Sequence, residues 1–548
     1  MPEAPDTQPQ IDPSIQTLDA VVIGAGFAGL YQLYRLRGMG LSARVYESGT
    51  DVGGTWYWNR YPGAACDVES VLYSYSFSKE LEQEWSWSER YARQPEILRY
   101  AQFVADRFDL RKDIQFRTRV NSAVFDESTD RWLITTNHGE RVSAKYCVMA
   151  TGCLSAAKDV DIPGLEQYKG KTYFTARWPH EAVDFSGQRV GVIGTGSSGI
   201  QSIPIIAEQA KHLTVFQRTP NYSIPARNGP MTAAQQQHVK DNYAELRTRQ
   251  YNHYIGLVGG IEAVPTLTTS ALEVSPEERQ REYEYRWGLG GLYYYTCYAD
   301  LYSNLEANET LAEFVRGKIR EKVRDPKTAD LLCPKDYPFG TKRLCADSGY
   351  YETYNRDNVS LVDIKTTPIE TFTANGLKVG DQEYALDAIV FATGFDAMTG
   401  ALFNIDIRGR DGVALKDKWA AGPYTYLGLM TAGFPNMFIT TGPGSPSVLY
   451  NMIIGNEMHV NWISDAIDYL EKDDRRTIEP TPEAEKAWVD HVNEVGETTL
   501  FVQTNSWYVG ANVPGKPRVI LPYLGGFDVY CQKCDDVVAK DYEGFVTA

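Results

Sequence analysis

No stretch of 18 consecutive apolar residues free of charge occurs in the chain, so no helix long enough to cross a bilayer is expected. Positive charge is also scarce. The 54 Lys and Arg are outnumbered by 71 Asp and Glu, giving a formal charge of −17. Nucleic acid recruits basic faces, so it is excluded as a main partner. A phosphate-bearing ligand would have to be held by local groups. Cysteine is sparse, with eight residues scattered apart from Cys531 and Cys534. One CxxC without a second pair makes neither a zinc site nor a disulfide framework. Free thiols, no metal and a cytoplasmic location are expected. Residues 1–17, MPEAPDTQPQIDPSIQT, lack a basic n-region and an apolar h-region. No secretory signal is read there, only a loose polar tail.

A length of 548 residues exceeds one hydrophobic core and predicts two or three domains. Hydrophobic content of 43% and charged content of 23% are those of a globular protein. Two segments carry the nucleotide-binding pattern. In LDAVVIGAGFAGLYQLYRLRGMGLSARVYESG an apolar strand leads into Gly24, Gly26 and Gly29, then a helix, then a second strand ending at Glu47. Glycines of this spacing permit a tight turn and let a pyrophosphate approach the helix N-terminus. A carboxylate at Glu47 can accept both ribose hydroxyls, as FAD or NAD requires. The pattern recurs in QRVGVIGTGSSGIQSIPIIAEQAKHLTVFQRTPN with Gly194, Gly196 and Gly199. At the equivalent of Glu47 stands Gln217, followed by Arg218 and Thr219. A guanidinium clamps a 2′-phosphate that a carboxylate would repel. The first site therefore suits a free ribose diol, as in FAD or NAD, and the second suits NADP.

Two further apolar strands, YCVMATG (146–152) and AIVFATGFD (388–396), each contain Ala-Thr-Gly. They predict an α/β fold of two nested Rossmann-type dinucleotide-binding domains. The FAD domain would span 18–152 and 388–548, and the NADP domain 153–220 and 332–387. Residues 221–331 read as a helical insert. There SPEERQREYEYRW places Ser275 as N-cap, Pro276 at the first helical position and Glu278 three residues after the cap, and NETLAEFVRGKIREKVRD reads as another helix.

From Asp19 to about Phe545 the chain resembles the Baeyer–Villiger monooxygenases, FAD- and NADPH-dependent enzymes that include cyclohexanone, phenylacetone and steroid monooxygenases. GGTWYWNRYPGAACD (53–67) is similar to the family's G-G-x-W-x4-Y-P-G-x3-D motif through Gly53, Gly54, Trp56, Tyr61, Pro62, Gly63 and Asp67, with Thr55 inside it. FGTKRLCADSGYYETYNRDNV (339–359) brings Lys342 and Arg343, which the resemblance places at NADP and flavin. NSWYVGANVPGK (505–516) brings Trp507, implied near the nicotinamide. TGPGSPSVLYN (441–451) resembles the loop lining the ketone pocket, implicating Ser447, Val448 and Leu449. One signature departs. The family's F-x-G-x3-H-x3-W-P reads YKGKTYFTARWP here, with Phe174 in place of the histidine and Tyr168 in place of the phenylalanine. That histidine is implied to organise the interdomain link.

The resemblance implies a reaction in which NADPH reduces FAD, oxygen adds to give a C4a-peroxyflavin, and this attacks a ketone to yield an ester or lactone. A peroxide anion in a dry pocket needs a permanent cation. Arginine remains protonated, which assigns Arg343 that part and Asp67 its orientation. The aromatic residues of 53–67 would exclude water. Cyclic or bulky ketones and O2 are the expected small-molecule partners, with oligomeric state open. Rival readings are a heteroatom-oxidising flavin monooxygenase and a non-catalytic nucleotide sensor. A flavin disulfide reductase is excluded, because only Cys66 follows the first motif where two redox cysteines would be required.

Overall fold

The structure, a computed structural model, describes residues 15–548. The expected tail lies outside the described residues except at its end, where Gln16 and Thr17 already belong to the first strand, Gln16–Ile23. Two parallel-rich sheets organise the chain. The first contains Gln16–Ile23 flanked by parallel partners Ala43–Tyr46 and Arg141–Met149. Val120–Asp126 and Arg131–Thr136 extend it as an antiparallel meander. Ala20, Val21 and Val22 are fully buried, as expected of a continuous apolar strand covered on both faces. Residues 27–38, 452–472 and others cover it. Gln32 donates to Ser464 across the contact between the helices Phe27–Gly38 and Met452–Lys472.

The second sheet runs, edge to edge, Val359–Asp363, His212–Gln217, Arg189–Ile193, Ala388–Phe391 and Lys171–Phe174, all parallel. This corrects the boundary expected at residue 388. Ala388–Phe391 pairs with Val190–Ile193 inside the second sheet, next to the edge strand Lys171–Phe174, as Tyr146–Met149 pairs with Ala20–Ile23 inside the first. The chain rejoins the first sheet only at Asp406–Arg408, parallel to Ser122–Val124. The two Ala-Thr-Gly strands are equivalents in their own sheets, and after each the chain crosses to the other sheet, at Lys171–Phe174 after the first and at Asp406–Arg408 after the second.

After the short strand Ser223–Pro225, residues 221–331 carry the helices Ala233–Asp241, Tyr243–Tyr251, Pro276–Leu289 and Leu305–Lys322 and most of Pro326–Leu332, with irregular chain over 252–275. Ser275 caps Pro276–Leu289 by accepting from the Glu278 amide at 3.2 Å. Leu305–Lys322 begins at Asn304, whose side chain accepts from Glu306 and Ala307 amides, three residues before the helix read from sequence. The insert is anchored on the first-sheet region through buried charge. Arg247 donates to Glu82 at 2.8 Å, and Glu69 accepts from Arg90 and from the amides of Gly260 and Ile261.

Phe174 ends its edge strand with its ring stacked on Phe391, centroids 4.7 Å apart at 21°. Val160, Ile162 and Leu165, on the segment entering this sheet, share the cluster. Its role here is therefore hydrophobic packing. Phe174→His should fold, bind FAD and retain its ketone range, with stability lowered by ~1–3 kcal/mol for an imidazole without a buried partner. The partition of consumed NADPH between ester and hydrogen peroxide checks it: ester appearing only in the variant would overturn the packing role.

Glu457 gives a pH-dependent contact inside the first-sheet region. It is fully buried and accepts from the Ser76 amide at 2.7 Å, the Phe77 amide at 3.0 Å and the Ser76 hydroxyl at 2.7 Å. Burial pushes its carboxyl up from 4.5 to about 7, against the lowering effect of these bonds and Arg247. An unfolded chain ionises this group near its ordinary value, while the folded chain retains the proton. Its contribution is thus whole below the unfolded value and is lost as pH rises towards 7. Glu457→Gln keeps the acceptor for both amides. It should flatten the fall in stability over this range by on the order of 3 kcal/mol, read as thermal midpoints at several pH values. Parallel wild-type and variant profiles would refute it.

Candidate active site

The first glycine turn packs backbone on backbone. Gly24 has φ +106°, and a Cβ there would lie 2.5 Å from the Ala150 carbonyl oxygen. Gly26 faces Gly54, where an added Cβ would come within 2.7 Å of the Gly26 Cα. The helix Phe27–Gly38 starts at Gly26 with no side-chain cap, leaving its first amides for a ligand. Glu47 is buried, with Oε2 accepting from the Ala25 amide at 2.8 Å and Oε1 from Gly49 at 2.7 Å. It therefore braces the turn as well as ending the second strand. An uncapped helix start, a glycine channel and a buried acid fit the pyrophosphate and ribose of FAD.

The second turn repeats the construction. Helix Ser197–Gln209 starts at Gly196, again without a side-chain cap, and a Cβ at Gly196 would meet nothing within 4 Å. That open space fits a second pyrophosphate. Gly199 packs on the Gly194 carbonyl. Gln217 is turned inward, donating to Leu331 O at 2.7 Å, and Arg218 is exposed. The Thr195 hydroxyl donates to Thr219 O at 2.9 Å. The Lys342 ammonium lies 4.8 Å from the Tyr337 ring centroid. Burial, then the positive charge of Arg218, holds Lys342 below the usual lysine range, and the same two causes act on Lys158. Arg218 thus lies among lysines, an arrangement that fits an anion of high charge. Lys158 was not singled out from sequence, because it follows no motif.

The aromatic stretch joins the two sheets. Thr55–Trp58 is a single helical turn with Thr55 exposed and Trp56 buried, its indole donating to Tyr73 Oη at 3.1 Å. Tyr61 donates to Gln201 Oε1 at 2.8 Å, and Gln201 Nε2 donates to Ala65 O at 3.0 Å. Gly63, φ +80°, lies against the Gln201 carbonyl so closely that a Cβ would collide with it. The helix of the second glycine turn therefore docks on this stretch through Gln201, a residue no sequence signal marked.

Beyond the dock lies the charged centre. Asp67 Oδ1 accepts from the Ala346 amide at 3.0 Å, and Oδ2 lies 3.4 Å from Arg343 Nε. Arg343 Nη1 donates to Val448 O at 3.1 Å. Burial pushes the Asp67 carboxyl up, opposed by Arg343. Burial also works against the guanidinium's charge, but Asp67, ahead of Tyr508 and Tyr295, raises Arg343 further above its ordinary range. The side chains are only 21% and 10% exposed. Removing one member of such a pair typically costs about 3–5 kcal/mol by leaving a charge uncompensated.

Ser447 has φ +47°. Its hydroxyl lies within 3.4 Å of Thr441 O and 3.5 Å of Met398 Sδ, so it shapes its turn and leaves Val448 to offer its carbonyl to Arg343. Leu449 and half-buried Trp507 join the same apolar cluster as Val448 and Tyr508. His459 supports the loop from behind: its Nδ1 accepts from the Thr441 amide at 2.8 Å and its Nε2 lies 2.9 Å from Tyr530 Oη. Burial pushes this imidazole down to about 3, keeping it neutral and able to accept. Around Trp507, Ser506 Oγ, Tyr508 Oη and Asn512 Oδ1 are buried without hydrogen-bond partners.

The Flavin-binding monooxygenase-like family matches residues 19–227. Over its whole length the chain is similar to the acetone monooxygenase (methyl acetate-forming) of Gordonia sp. (strain TY-5), at 43% identity over 97% of this chain and 99% of the relative. It is 44% identical to a Baeyer-Villiger monooxygenase of Pseudooceanicola batsensis over 96% of each chain. It is 42% identical to the phenazine N-monooxygenase of Lysobacter antibioticus over 98% of each. Among solved structures, an oxidized steroid monooxygenase bound to NADP matches with TM-score 0.92 and 53% identity, covering 97% of this chain and 99% of that one. A closed cyclohexanone monooxygenase matches with TM-score 0.94, 44% identity and the same coverage. With two uncapped glycine turns, an interdomain Asp–Arg pair and whole-length likeness of this degree, the chain belongs to the Baeyer–Villiger group of flavin-binding monooxygenases.

Proposed function

We propose that the protein is an FAD- and NADPH-dependent monooxygenase that converts a ketone, O2, NADPH and a proton into an ester or lactone, NADP+ and water. Cyclic or bulky ketones are the proposed substrates. The observation that carries this reading is Arg343, held between Asp67 and the Val448 carbonyl where the two nucleotide-binding sheets meet. FAD, reduced by NADPH, supplies the oxygen activation when bound. The chain's own residues do the rest. Uncapped helix starts at Gly26 and Gly196 bind the two pyrophosphates. Arg218 and Lys342 hold the 2′-phosphate. Asp67 fixes the guanidinium of Arg343, which stabilises negative charge at the reacting oxygen. Buried Trp56, with the aromatic residues beside it, keeps water out.

A second reading is heteroatom oxidation, favoured by the similarity to a phenazine N-monooxygenase. Product analysis after incubating purified protein with NADPH, oxygen and parallel panels of ketones, amines and sulfides tests both. Ester or lactone from ketones supports the first. N- or S-oxides with no ester from any ketone would replace it with the second. NADPH-dependent oxygen consumption absent with every substrate would favour a sensor. The eight free thiols suit a reducing cytoplasm.

A further inference from the structure

Tyr508 has no assigned part in the site just described. It is 1% exposed, and its Oη is buried without a hydrogen-bond partner. Its ring lies in the cluster that contains Val448, the residue whose carbonyl receives Arg343, and packs edge-on to Phe501 at 5.5 Å. The Arg343 guanidinium is close enough to this phenol for each to act on the other's charge. A guanidinium only donates. Contact with Arg343 can therefore satisfy a lone pair of the phenol oxygen and never its hydrogen. The O–H of Tyr508 remains a donor without an acceptor, in a buried place within the field of the Arg343 guanidinium. Tyr302 Oη is also buried and unpartnered, but Arg343 is not among the groups acting on it.

We propose that Tyr508 is a catalytic residue whose phenol donates a hydrogen bond to the carbonyl oxygen of the ketone, and to the alkoxide that oxygen becomes on addition, alongside Arg343. The inference rests on the ketone reading above. No proton is transferred: the O–H bond stays intact, and the electron pair displaced from the carbonyl π bond resides on oxygen between phenol and guanidinium. Burial raises the phenol's pKa, so it stays protonated as the negative charge develops. The arrangement resembles other pockets in which two donors converge on a developing oxyanion. It also distinguishes substrates, because a sulfide presents no carbonyl to this donor.

Tyr508→Phe in the holoenzyme tests the assignment. The ratio of ester from a ketone to sulfoxide from a sulfide, measured under one NADPH and oxygen regime, should fall by about tenfold or more. Ketone-driven NADPH consumption should shift towards hydrogen peroxide. A ratio that stays unchanged, whether both products persist or both fall together, overturns the proposal. Wild-type protein that makes no ester from any ketone overturns the ketone reading itself, and this inference with it. Should Tyr508→Phe lose its flavin, infrared spectroscopy on the wild-type holoenzyme decides. The carbonyl stretch of a bound 13C-labelled ketone should move below its position in apolar solvent and should stay below it in Arg343→Lys, where the phenol remains as donor. An unshifted stretch overturns the proposal.

Discussion

Arg343→Ala should leave FAD bound and reducible by NADPH while lowering ester formation by ~100- to 1000-fold, the cost of losing one preorganised stabiliser of developing charge. The guanidinium is fixed at two points, Asp67 Oδ2 at 3.4 Å and Val448 O at 3.1 Å. It therefore pays no reorganisation as negative charge appears. The variant leaves Asp67 buried beside Ala346 without its cation, so some stability is lost as well. Stopped-flow flavin reduction separates the two effects, since it needs a folded site and no charge stabilisation at the ketone. Arg343→Lys should recover part of the rate, because an ammonium keeps the charge but cannot bridge Asp67 and Val448 with a planar fork. Near-normal ester yield in Arg343→Ala would remove this residue from the mechanism.

Arg218→Ala should weaken NADPH binding by ~10- to 150-fold, or about 1.5–3 kcal/mol for one charge-assisted contact to a 2′-phosphate, and leave NADH nearly unchanged. Arg218 is exposed at the end of His212–Gln217, with Gln217 turned away into the protein. The strand thus presents a cation where the first sheet presents the buried Glu47. Lys342, which lies within the field of Arg218, should assist. Binding of each cofactor, followed by titration of the holoenzyme, reads the effect directly. Equal losses for NADPH and NADH would mean that Arg218 supports the fold.

Local signals were strong in this chain wherever chemistry requires a fixed spacing along the backbone. Gly24, Gly26 and Gly29 must sit at their intervals because a turn and a helix start are built from consecutive residues, and Glu47 ends the next strand for the same reason. Ser275 and Pro276 likewise announced a helix start that Ser275 caps. The strand Ala388–Phe391 was misplaced because an apolar strand carries no mark of its neighbours. Only its register with Val190–Ile193 shows which sheet it joins. The family likeness singled out Asp67 and Arg343, but their contact spans 276 residues and depends on how two sheets dock.

What the sequence determined by itself was the set of elements with short-range causes: two glycine turns with the helices they start, an acid at Glu47 after the first and a base at Arg218 after the second. The tertiary structure decided the rest. It placed Gln201 against Gly63, set Lys158 within the field of Arg218, turned the Ser447 hydroxyl inward so that Val448 faces Arg343, and left the Tyr508 hydroxyl without a partner. Each of these depends on burial and on groups from distant segments, and neither is encoded in the spacing of neighbouring residues.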